Sequence, residues 1–179
     1  MNSMTCYLKY EEPLAIYDNY NDGDEFIVGF LAKADDKFAL FNTITTRGYE
    51  DGFYLTLVDR IYRIDRNDRY ISKILVFWHN LKQQKTNIPV EGKDALDSLL
   101  CYSLNEEKII SIFLFDEEST EITGFIDEYN RDTITIDLID DYETRCGTST
   151  IEVSIITKIR CDSGFERNLT LLLKSMITD

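Results

Sequence analysis

The chain aligns with itself at an offset of 95 residues, and this repeat limits what it can fold into more than any other property. Residues 1–84 lie over residues 96–179 without a gap. Identities fall at Ser3/Ser98, Cys6/Cys101, Tyr7/Tyr102, Glu11/Glu106, Glu12/Glu107, Ile27/Ile122, Gly29/Gly124, Phe30/Phe125, Gly52/Gly147, Val58/Val153, Ile61/Ile156 and Ile64/Ile159. Leu31/Ile126, Phe41/Ile136, Ile44/Ile139, Arg63/Lys158, Tyr70/Phe165, Ile74/Leu169 and Val76/Leu171 are conservative pairs in the same frame. Paired glycines and apolar phase kept together over a domain length point to a tandem duplication. Lys85–Ala95, with Pro89 and Gly92, is its join. The expected organisation is residues 1–84 as a first unit, 85–95 as a linker and 96–179 as a second unit.

Each unit reads the same way. An opening segment (Ser3–Glu12; Asp94–Asn105) is clearest as a helix in the second unit, where Leu96, Leu99, Leu100 and Leu104 recur at helical spacing. Strands follow at Leu14–Tyr17 and Ile109–Phe115, then at Glu25–Ala34 and Glu121–Tyr129, whose interior Gly29 and Gly124 mark a bend or bulge. Polar breaks at Asp35-Asp36-Lys37 and Asn130-Arg131-Asp132 lead into Phe38–Ile44 and Thr133–Ile139, the second alternating as a half-buried strand does. Further strands are expected at Phe53–Val58 and Thr148–Val153, then at Arg60–Ile64 and Ile155–Ile159. A terminal helix with one apolar stripe closes each unit: Tyr70, Ile71, Ile74, Phe77, Trp78 and Leu81 in the first, and Leu169, Leu172, Leu173 and Met176 in the second. Five short strands with a central bend predict a mainly β, α+β chain. The architecture expected is two tandem five-stranded small barrels, each with an N-terminal and a C-terminal helix.

Two motifs within this frame resemble the Sm-like (LSm) family of small SH3-like barrels. Ile27-Val28-Gly29-Phe30-Leu31 with Asp35-Asp36, and Ile122-Thr123-Gly124-Phe125-Ile126 with Asp132, look like the first Sm motif. Leu57–Ile64 and Glu152–Ile159 look like the second, which ends in an I-x-x-I strand. The likeness covers residues 14–65 and 109–160, and the terminal helix is similar to that of uncharacterised bacterial Sm-like proteins. RNA-binding members carry an Asn after the acidic loop and an Arg-Gly pair before the last strand, groups that read and stack a base. Ala39 and Ile134 stand near the first position, and Val58-Asp59 and Val153-Ser154 at the second. The resemblance therefore implies a barrel without the uridine-type pocket.

Charge narrows the functions. The 179 residues carry 19 Lys and Arg against 33 Asp and Glu, a net charge of −14, which repels nucleic acid and anionic bilayers as a whole. The imbalance is uneven: residues 1–84 hold 13 acidic and 10 basic residues, and residues 85–179 hold 20 and 9. No apolar run approaches the roughly 20 residues of a membrane span, and Met1–Thr5 lacks a basic signal-type start. Cys6, Cys101, Cys146 and Cys161 are too dispersed for a zinc set with the single His79, and read as reduced thiols of a cytoplasmic protein. The carboxylate groups Asp116-Glu117-Glu118 and Asp140-Asp141 lack an EF-hand pattern and read as solvated turns. Phosphate-loop, dinucleotide, nucleophile-elbow and HExxH motifs are absent. No catalytic residue, metal or cofactor is expected.

One basic strip remains: Arg60, Arg63, Arg66, Arg69 and Lys73, interleaved with Tyr62 and Tyr70. It reads either as a phosphate or single-strand RNA track or as a solvated strand end neutralised by Asp59, Asp65 and Asp68. A third reading places it against Asp137, Asp140, Asp141 and Glu143 of the acidic half, in the same or another chain. The leading expectation is a non-enzymatic protein-interaction or assembly module that binds a protein partner or itself, with no DNA and no membrane. The alternatives are an RNA-binding Sm-like protein using the strip, and an acidic inhibitor or immunity-type protein.

Overall fold

The computed structural model describes residues 5–8, 11–88, 92–115, 121–140 and 144–176. A 3-10 turn at Thr5–Leu8 leads into strands β1 (Leu14–Tyr17), β2 (Ile27–Ala34), β3 (Phe38–Ile44), β4 (Glu50–Leu57) and β5 (Arg63–Asp65). Helices α1 (Arg69–Asn80) and α2 (Ala95–Asn105) follow. Then come β6 (Ile109–Leu114), β7 (Glu121–Tyr129), β8 (Thr133–Ile139), β9 (Arg145–Glu152), β10 (Ile156–Cys161) and helix α3 (Gly164–Met176).

Local chemistry sets these boundaries. Asp35 Oδ1 accepts the Lys37 and Phe38 amides at 2.8 and 2.9 Å and turns β2 into β3. Asn130 Oδ1, 95 residues on, does the same for Asp132 and Thr133 at 2.8 and 3.0 Å. Asp68 and Asp94 cap α1 and α2 by accepting from the Ile71 and Asp97 amides. The β2–β3 and β7–β8 ladders shift register between Leu31 and Lys33 and between Ile126 and Glu128, again 95 apart. These bulges lie just after Gly29 and Gly124.

The strands form one antiparallel ten-stranded sheet in the order β5-β1-β2-β3-β4-β10-β6-β7-β8-β9. This corrects the expected pair of separate five-stranded barrels, each with two helices. The edge of β4 does not close on its own half; it bonds to β10 of the other, pairing Phe53 with Cys161, Leu55 with Ile159 and Thr56 with Lys158. The physical reason is burial. Phe53, Leu55, Ile159 and Cys161 are each no more than 1% exposed, and an unpaired strand edge cannot be left among them without orphaned amides. The described residues also contain three α-helices rather than four. The leucine stripe of α2 at 96, 99, 100 and 104 corresponds to Met1, Met4, Thr5 and Lys9, which give no continuous apolar face in the sequence; Thr5–Leu8 form a 3-10 turn, and residues 3–4 and 9–10 of the expected opening segment lie outside the described residues.

The largest core crosses the halves, packing Phe38, Leu40, Phe53 and Leu55 with α2 and the strands of the second half. Phe53 meets Tyr102 of α2 edge to face at 5.0 Å. On the outer side of the first half, α1 buries Ile71, Ile74 and Trp78 against Ala15, Tyr17, Val28, Phe30 and Ile44. Among the described residues no helix is long and apolar enough to cross a membrane.

Candidate functional site

The basic strip runs from the 3-10 turn Val58–Arg60 along β5 to the outer face of α1, and most of its groups are engaged within the chain. Arg63 clasps Asp65 through Nε and Nη2 at 2.9 and 2.6 Å and lies 4.4 Å over the Tyr17 ring. The Arg63 hydrogen bonds hold the Asp65 carboxyl below its ordinary pKa, and a second bond from Tyr17 adds to them. Arg66 donates to the Tyr7 carbonyl at 3.2 Å and sits over that ring. Arg60 donates to the Asp18 carbonyl at 3.4 Å. Tyr62 stacks on Tyr20 at 5.2 Å, and Tyr70 meets Phe26 edge to face at 5.3 Å. Arg69 and Lys73 project from α1 and are exposed. A surface that stacks bases needs open ring faces; here the Tyr17 and Tyr7 rings carry arginines and Tyr62 is stacked on Tyr20.

Of the acidic residues proposed to oppose the strip, Asp137 and Asp140 stand toward the other end of the strand order. Asp137 on β8 is paired with Arg145 at 2.5 Å, and Asp140 accepts from the Thr144 amide and hydroxyl in a turn. Asp141, Glu143 and the Asp116-Glu117-Glu118 group lie outside the described residues. His79 is exposed on α1. Among the described residues no group of three His, Cys, Asp or Glu side chains is placed to hold a metal ion. None of the four cysteines is in a disulfide; Cys6 and Cys146 are exposed and Cys161 is buried.

The charged groups at the joint between β4 and β10 are residues that the sequence pattern did not single out. Arg167 of α3 reaches Glu50 at the start of β4 at 2.6 Å and Asp162 at 3.2 Å. Burial opposes the charge of its guanidinium, but the bonds to Asp162 and Glu50 outweigh that and raise its pKa. Asp51 accepts the Gly164 amide at the start of α3 at 2.8 Å. Burial pushes the Asp51 carboxyl above its usual pKa, against the pull of that amide and of Arg167. Glu166, 1% exposed, accepts from the Ser111 hydroxyl at 2.7 Å and the Ser163 amide at 2.9 Å. The residue 95 positions earlier is the apolar Ile71, and a carboxylate in an apolar stripe was the one signal of this network in the sequence. Gly52, at φ +70°, lets β4 approach so closely that a Cβ would overlap the carbonyl oxygens of Cys161 and Asp162.

The outer edges are the counterparts of this joint. Adding 95 to β4 gives β9, and subtracting 95 from β10 gives β5; these two strands end the sheet. Gly147 on β9 keeps a positive φ of +127° like Gly52, yet a Cβ there would meet nothing within 4 Å. Beyond β5, Asn67 holds φ 52°, as Asp162 holds φ 55° beyond β10. No protein-family model, no curated protein and no solved structure matches this chain.

Proposed function

We propose that this protein is a non-enzymatic assembly module whose copies join head to tail, β9 of one to β5 of the next, by the same antiparallel pairing that joins β4 to β10 within it. The observation carrying this reading is the internal joint, formed by two strands whose counterparts at +95 and −95 are the two edges of the sheet. Such a contact is heterologous: the patch on each copy differs from the one it meets, and repetition gives a closed ring or a filament. The tandem duplication and the Sm-like likeness of each half are part of the proposal, since a duplicated unit with matched edges supplies two positions per chain. The exposed thiols fit a reducing, cytoplasmic setting. A single-stranded RNA role for the strip is the weaker reading, because Arg63 and Arg66 already lie on Asp65, Tyr17 and Tyr7.

The test is the mass in solution of the wild type and of Ser149→Pro and Thr150→Pro. Neighbouring strand residues point their amides to opposite sides, so one of the two prolines removes a donor from the outer edge of β9 and the other disturbs β8 pairing. The expected result is a wild-type mass above the 20.9 kDa chain that rises with concentration. One proline variant should return to the single-chain mass with its far-ultraviolet circular dichroism kept, and amide protection at Thr148–Ile151 should rise with wild-type concentration. A wild type that stays at 20.9 kDa, or β9 amides that exchange at the same rate at every concentration, overturns the proposal.

A further inference from the structure

α3 differs from α1 in how little of its apolar face it covers. α1 buries Ile71, Ile74 and Trp78. The counterparts on α3 are Glu166, Leu169 and Leu173, and Leu171 and Leu172 are 66% and 40% exposed. Where Trp78 packs on Phe30 with rings 5.5 Å apart, Leu173 stands opposite Phe125 and leaves a groove of about 990 Å³. Leu104, Phe125, Ile126, Leu171 and Leu173 give this groove an apolar wall. An apolar wall of this size in water is a site for a partner rather than a finished surface.

The rim identifies the partner by charge. Three cations of the rim are taken up locally: Arg145 by Asp137 at 2.5 Å, Lys108 by Asp162 at 3.4 Å, and Arg167 by Glu50 and Asp162. Lys174 is a fourth cation on the same rim. Glu106, Glu107 and Asp127 are exposed and form no ion pair among the described residues. The occupant should therefore be apolar and basic. One element of this chain has both properties: α1 contains no acidic residue, and its outer face shows Arg69, Lys73, Val76 and Phe77, the last two 57% and 39% exposed. A second copy placed as at the internal joint brings the Ser72 side of that helix to the rim of the groove. Arg167 of α3 touches Glu50; their counterparts are Ser72, on the outer side of α1, and Arg145, which lines the groove.

We infer that the groove beside α3 receives the outer face of α1 from a second copy, with Val76 and Phe77 against the apolar wall and Lys73 and Arg69 toward Glu106 and Glu107. This inference rests on the head-to-tail assembly proposed above and adds a second contact to it. Both faces are exposed in the single chain, so substitutions there leave each fold intact.

The experiment is sedimentation velocity on wild type, Val76→Asp, Glu106→Lys/Glu107→Lys and Arg69→Glu/Lys73→Glu, alone and mixed. Val76→Asp should weaken association at least tenfold, and each charge-reversed variant by roughly tenfold alone. An equimolar mixture of the two charge-reversed variants should recover association, since opposite signs again face one another. Wild type that assembles while all three variants assemble equally well overturns this contact and leaves the strand-edge proposal standing. A wild type that never assembles overturns both.

Discussion

Gly52 and Gly147 are each the third residue of a strand, β4 and β9, and alanine at each separates backbone strain from packing. Both hold positive φ, so alanine costs on the order of 1–3 kcal/mol at either site. At Gly52 the new methyl must also push against the carbonyls of Cys161 and Asp162, which are backbone and cannot rotate away. Overpacking of that kind adds about 1–3 kcal/mol. Gly147 meets no atom, so only the strain applies in the single chain. Gly52→Ala should therefore lower the urea midpoint further than Gly147→Ala, by about 1 M for a slope of about 1–3 kcal/mol per M. The assay is equilibrium urea unfolding at high dilution, where chains are separate. In the assembled state the order should change, because the carbonyls facing Gly147 would be those of Arg66 and Asn67 from the next copy. Gly147→Ala should then weaken association while barely affecting the dilute chain. Equal losses at the two sites under dilution would refute the close β4–β10 approach on which the reasoning rests.

Other predictions concern the same joint and the strip. Arg167→Ala leaves Glu50 and Asp162 without their shared cation and should cost about 1–3 kcal/mol in urea unfolding, with Arg167→Lys recovering part of it; an unchanged midpoint would mean that the network does not hold the halves together. Asp51 has a raised pKa, so the folded state binds its proton more tightly than the unfolded state, and its contribution to stability falls as pH rises through the carboxylate range. Asp51→Asn should hence stabilise the protein at neutral pH, with the gain shrinking below the ordinary carboxylate pKa; thermal melts that show no gain at pH 7 would contradict this. Arg60, Arg63 and Arg66 changed together to alanine should leave single-stranded RNA binding at physiological salt as weak as in wild type. Tight wild-type binding lost in that variant would favour the RNA reading over assembly.

Much of the local structure was legible because period and turn chemistry act over a few residues. Phe38–Ile44 and Thr133–Ile139 are β3 and β8, each following its polar break; the second alternates as expected of a half-buried strand, whereas β3 is buried along its whole length. The terminal helices are announced by their apolar stripes, and the structure adds the Asp68 cap of α1. The joining of the halves was not legible, because the choice of partner for β4 depends on which edges are buried together, and a strand's pattern does not name its neighbour. The same limit hid Glu50, Asp51, Asp162 and Arg167. In sequence they are ordinary charged residues near turns, and the contacts that join Asp51 to Gly164 and Glu50 to Arg167 span more than 100 positions. The basic strip and its neutralisation by Asp65 were legible as neighbouring charges on one strand, but the seating of Arg63 over the Tyr17 ring and the stacking of Tyr62 on Tyr20 follow from the β1–β5 register and the loop after β1.

Site-specific crosslinking across the open edges tests head-to-tail assembly most directly. Asp51 accepts the Gly164 amide across the internal joint, and the counterparts of these residues are Cys146 on β9 and Arg69 at the start of α1. In a Cys6→Ser background, Arg69→Cys treated with a short bifunctional maleimide should give a ladder of covalent multimers at concentrations where the protein assembles. The further substitution Cys146→Ser should abolish the ladder. A chain that stays at 20.9 kDa under those conditions, or a ladder unaffected by Cys146→Ser, would contradict the assembly of copies through β9 and β5.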